Sequence, residues 1–276
     1  MAARAAAVAV FTLLELRRRR LLALFVVLEG LIVAVLGIAP LVVPGTPTGE
    51  ERSLLVLSIL SGVAGGALLV GAIGLGLVVI RNDLDSGAIA AILAKPVSRL
   101  AYAVGKLAAA AALIVVFDGL FAIAAIGLLA LDGGGHDAVV PSFFAILGAN
   151  ALIWMVLVTA LTVYLNNVLA AVVAIAILFL QGVFGELHTL VSSGVITARP
   201  WIVLSEAGYW LLPRPLASNL EREVVESSLR LHPGTRPAVP LTAIPGASSA
   251  GDVLVWFAYL AVLCGLLYVA VRRKQV

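Results

Sequence analysis

Six apolar runs, each long enough to cross a bilayer, limit what this chain can become. Five of them are plain: 21–43, 54–80, 107–131, 143–165 and 253–271. The sixth, 168–184, meets the lower bound of about 17 residues for a spanning helix. Only Asn166 and Asn167 part it from the run before, and the two together are too long for one span, so they read as a tight helical hairpin. Inside hydrocarbon a lone segment satisfies its backbone hydrogen bonds only as a helix. The alternating ten-residue pattern of a membrane barrel is missing. The expected fold class is therefore an all-α polytopic membrane protein with six transmembrane helices. Composition agrees, with 62% hydrophobic and 12% charged residues in 276, against roughly 25% charged in soluble domains. Disorder needs the opposite bias. The lone Cys264 excludes an internal disulfide and a cysteine-built zinc site.

The net charge of +3 matters less than where the charges lie. Cytoplasmic loops carry the excess of Lys and Arg. With the N-terminus inside, the inner face holds 12 of the 18 basic residues: Arg4, Arg17, Arg18, Arg19, Arg20, Arg81, Lys95, Arg99, Lys106, Arg272, Arg273 and Lys274. The short outer loops hold only Arg52. Both termini are thus expected in the cytoplasm, in a cell (inner, cytoplasmic) membrane. The chain divides into an interfacial helix (1–20), spans at 21–43, 54–80, 107–131, 143–165, 168–187 and 252–271, a cytoplasmic loop (81–106) and an extracytoplasmic segment (188–251). A cleavable signal is not expected, because the apolar run behind the arginines exceeds a signal-peptide core. Residues 3–16 suit a helix lying in the membrane interface, with Phe11 and Leu14 on one side and Arg4, Glu15 and Arg18 elsewhere.

Catalytic signatures are missing. The only Gly-Lys pair, Gly105–Lys106, has Leu100 where a phosphate-binding loop needs its first glycine, and Leu107 follows it. Glu186 and His188 do not make an H-E-x-x-H helix, and no G-x-S-x-G elbow occurs. Asp132, His136 and Asp137 flank three glycines, which reads as a turn rather than a metal site. No covalent chemistry, cofactor or metal is expected in this chain.

The informative stretch is RNDLDSGAIAAILAKPVSR, residues 81–99. Asp85 and Ser86 are N-cap candidates. Ile89, Ile92 and Leu93 fall at helical spacing on one stripe. Lys95 suits a helix C-terminus, Pro96 stops the helix, and Ser98 can cap a new one running through Tyr102 and Lys106. A short helix with an aliphatic face is expected between two spans, buried against lipid or against another protein.

Those residues carry a resemblance. An acidic pair (Asp83, Asp85), Ser86–Gly87, a short helix, the Pro96-Val-Ser-Arg99 turn and Gly105–Lys106 resemble the first cytoplasmic loop of membrane subunits of type-two ABC exporters. The arginine-ended interfacial helix, the six-span layout and the long outer segment are similar too. Tyr209-Trp-Leu-Leu-Pro213 looks like a tract of the subgroup related to the nitrous-oxide-reductase maturation permease. The chain departs in having aspartates where glutamate is commoner, and Ala88 where threonine usually follows the glycine. The resemblance implies that 86–95 is a coupling helix. Asp83, Asp85, Ser86, Gly87, Ile89, Ile92, Leu93, Lys95, Pro96 and Arg99 would then engage a separate cytosolic ABC ATPase, present in two copies and carrying the ATP and Mg. It further implies a second permease copy, taken as a homodimer. Membrane lipid, and an accessory protein on the outer segment, are further expected partners; nucleic acid is not.

Polar groups inside the spans are path candidates: Glu29, Asp118, Asn150, Gln181 and Glu186. Glu29 lies about 12 Å into the first span at 1.5 Å per residue. Such charges face protein or water and mark function or packing. Asn150 reads as interhelical glue. The second span is rich in glycine, and Gly62 with Gly66 forms a close-packing step, serving either internal packing or a moving surface. The expected function is the permease half of an ATP-driven exporter. The alternatives are an ion-coupled secondary transporter using Glu29 and Asp118, or a membrane scaffold that docks a cytosolic partner.

Overall fold

Ten helices account for nearly all of the computed structural model, which describes residues 2–18, 21–42, 49–88, 92, 97–131, 139–232 and 246–273. They are α1 (Ala2–Arg18), α2 (Leu21–Val42), α3 (Glu50–Val78), α4 (Arg81–Asp85), α5 (Arg99–Leu131), α6 (Val139–Tyr164), α7 (Asn167–Ser192), α8 (Arg199–Leu211), α9 (Leu220–Leu231) and α10 (Ala250–Arg273). No strand occurs among the described residues. Among the described residues, five helices are long and apolar enough to cross a membrane: α3 with α4, α5, α6, α7 and α10. By length and composition this is a multi-pass membrane protein. The first apolar run forms α2, a helix of 22 residues.

Local chemistry sets the breaks. Asn166 caps α7, its Oδ1 accepting from the Leu169 amide at 2.8 Å, so two asparagines suffice to turn the chain between α6 and α7. The Ser98 hydroxyl accepts from the Ala101 amide at 3.2 Å and opens α5, as its position predicts. Pro200 stands in the first turn of α8, where its missing N–H costs nothing.

Packing is centred on α6. Every residue from 153 to 160 is buried, and α3, α5 and α10 lie against this helix. Lipid offers no hydrophobic drive for helices to meet, so close approach depends on small residues. The tight point is Gly76, where a Cβ would meet the Met155 carbonyl at 2.8 Å. The expected step at Gly62 and Gly66 is not that point. Neither glycine has a neighbour within 4 Å of a Cβ, so this face of α3 is open rather than packed. α7 forms the rim and buries only Ala170 and Ala174.

Near the start of α6, the stretch from α8 to α9 folds back over the helix ends. Asn150 is clamped twice to the Leu216 backbone, donating at 2.9 Å and accepting at 2.8 Å. This side chain therefore holds the α8–α9 connection, not a neighbouring span as its sequence position suggests. Arg214 pairs with Asp252 at the start of α10 at 2.9 Å, and its guanidinium lies over the Trp210 ring at 4.2 Å. The Tyr259 hydroxyl donates to the Trp210 carbonyl. Phe184 of α7 fills the space over Gly208 of α8. The segment is a fastened cap.

Candidate functional site

At the end of the bundle opposite the cap, the helix ends converge on a buried charged cluster. Lys106, about two turns into α5, is only 4% exposed. An ammonium there must be paired, because an isolated buried charge is costly. Its Nζ lies 2.8 Å from Asp83 Oδ2 and 3.3 Å from Glu15 Oε2. The fully buried Tyr102 hydroxyl, one turn earlier on α5, donates to the same Asp83 oxygen at 2.7 Å. One ammonium, one phenol and two carboxylates thus fasten α1, α4 and α5 together.

The backbone makes room for this. At Gly105 a Cβ would meet the Ala5 carbonyl at 2.6 Å and Val8 Cβ at 2.7 Å. The glycine lets α1 lie directly on α5 and brings Glu15 within reach of Lys106. The other side of α1 leaves Val10, Phe11 and Leu14 exposed, an apolar face of the kind that seats on a membrane interface.

Two arginines carry the cluster outward to further helices. Arg81 Nη1 donates to the Leu165 carbonyl at 3.0 Å and the Thr162 carbonyl at 3.3 Å, satisfying orphan acceptors at the end of α6. Its Nε pairs with Asp85 at 2.8 Å. Arg99 Nη1 donates to the Arg272 carbonyl at 2.5 Å, at the end of α10. A cation at a helix C-terminus also complements the helix dipole. Both ends of the 81–99 segment are therefore tied to carbonyl ends of other long helices.

Within that segment the structure corrects the capping reading. Ser86 closes α4 instead of opening a new helix: its hydroxyl donates to the Asn82 carbonyl at 2.7 Å. Gly87 follows with φ +70°, a conformation that glycine adopts without steric cost. The chain is helical again at Ala88 and at Ile92. Ile89, Leu93, Lys95 and Pro96 lie outside the described residues. Ile92 is half-buried against the chain's own core, and Asp83 faces inward. Asp85, Ser86 and Gly87 are exposed.

The intramembrane candidates are not brought together. Glu29 lies in a cleft between α2, α3 and α5. Asp118 turns to α6, where its Oδ2 lies 2.6 Å from the place a Cβ on Gly148 would occupy. Gly66 is on the open face of α3, and Asn150 holds the cap. Gln181 lines a small hollow with Tyr209 and Arg214, and Glu186 is exposed. Sequence reasoning missed Glu15 and Tyr102 as partners of Lys106 and Asp83, and the ties of Arg81 to the end of α6. The available signal was Lys106, an ammonium beside a long apolar run that needs an acid at its own depth. No protein-family model and no curated protein matches this chain.

Proposed function

We propose that the chain is the permease half of an ATP-driven ABC exporter, with α2 as the first of six spans and both termini on the cytoplasmic side. The basic residues support that orientation: the charged cluster and the arginine-bearing 81–99 segment share one end of the bundle, and positive charge marks the cytoplasmic face. Two copies of the chain would assemble with two separate ATPase subunits. Nucleotide binding would shift the pair between inward- and outward-facing states through its different affinity for them.

The observation that carries this reading is the way segment 81–99 is anchored. Asp83 is held by Lys106 and Tyr102, Arg81 by α6 and Arg99 by α10. A push on the exposed Asp85–Ser86–Gly87 turn therefore bears on α3, which α4 continues, and through Asp83 and Arg81 on α5 and α6. Such rigid attachment suits a lever and is more than a passive surface loop needs.

The test is to look for a P-loop ATPase in the reading frames beside this chain's own, co-express the two, then purify and reconstitute them. The two should co-purify, and the chain should stimulate ATP hydrolysis. Ser86→Trp, placed on the exposed turn, should weaken that association while leaving the thermal midpoint of the isolated chain in place. Cargo movement by vesicles holding this chain alone would overturn the proposal and favour an ion-coupled carrier.

A further inference from the structure

Glu29 is an intramembrane carboxylate that opens onto a cleft. The residue is 7% exposed, its Oε2 has no hydrogen-bond partner, and no described ion pair includes it. α2 rests on α1 and α5, which leaves a slot on its α3 side. Ala67, Gly71 and Ala72 of α3 form one wall, and Phe117 and Phe121 of α5 form the other. A bare carboxylate in hydrocarbon is costly, so this one requires either a proton or a cation. The slot is narrow, with room for about one water and so for a group of that size, such as a primary ammonium. Aromatic faces attract positive charge. Val26, one turn before Glu29 on the same side of α2, is exposed and apolar, a surface along which an alkyl tail can lie.

We propose that this slot binds the head of a primary alkylammonium amphiphile, its –NH₃⁺ against Glu29 beside the phenylalanine wall and its tail in the lipid. The walls select by size. An ammonium enters, whereas the same tail on a trimethylammonium is too broad. Calling such a ligand cargo rests on the exporter reading; its binding does not.

The experiment uses the purified chain in lipid nanodiscs, without any ATPase, and radiolabelled dodecylamine as probe, with empty nanodiscs as the background. Saturable binding is expected above that background. Glu29→Gln should weaken it by about tenfold or more, the scale of losing a hydrogen bond to a charged group, with an unchanged thermal midpoint showing that the variant is folded. Phe117→Leu should weaken it less, and dodecyltrimethylammonium should fail to compete. Absence of a saturable component, equal binding by Glu29→Gln, or equal competition by the trimethyl compound would each overturn the proposal and leave Glu29 with a proton or a water. None of these results bears on ATPase association, so the two proposals fail separately.

Discussion

Lys106 shows how strongly one residue can commit this fold. Removing one partner of a buried ion pair costs about 3–5 kcal/mol, whereas replacing both with apolar groups is often neutral. Lys106→Met should therefore lower the thermal midpoint of the detergent-solubilised chain sharply, by leaving Asp83 uncompensated. Adding Asp83→Asn should recover most of the loss, and a double-mutant cycle on the melting data checks this. The glycines make a second contrast. Gly105→Ala would drive a methyl into the Ala5 carbonyl and Val8 of α1 and should cost about 1–3 kcal/mol. Gly66→Ala meets open space and should stay within about 0.5 kcal/mol in the monomer, measured by the same melts. Both glycines sit in apolar surroundings in the sequence. Which one is crowded depends on a neighbour far along the chain, so local pattern cannot tell them apart.

Elements were far more legible than contacts. The hydropathy period exposes every long helix, because a bilayer imposes a minimum length that few other constraints share. Asn166 and Asn167 marked the break between two spans, and Ser98 marked a helix start through capping chemistry that is local. Ser86 misled for the same reason: serine serves either helix end, and only the positive φ of Gly87 shows that α4 is being closed. Gly87→Ala should strain that turn by about 1–2 kcal/mol. If the turn meets an ATPase, stimulated hydrolysis should fall while the chain still inserts and folds, which paired activity and melting measurements will separate. The cap offers a further test. Asn150→Leu removes both hydrogen bonds to Leu216, so limited proteolysis within 212–219 should accelerate, tenfold for each 1.4 kcal/mol or so of lost local stability.

For the molecule as a whole, the asymmetry of burial is the telling property. The middle of α6, from 153 to 160, is buried all round, while α7 and one face of α3 stay open. Open glycine faces let two backbones meet closely in lipid. If two copies pair there, Val70→Cys in a Cys264→Ser background should form a disulfide dimer in native membranes, visible on non-reducing gels. A monomer under oxidant would place the contact elsewhere. The cluster around Lys106 also orders events in time. Glu15 is 91 residues upstream of the lysine it faces, so α1 leaves the ribosome long before the helix that seats it exists. Biogenesis must then keep α1 waiting until α5 arrives, and a chain interrupted before Gly105 lacks the helix on which Ala2–Arg18 is seated.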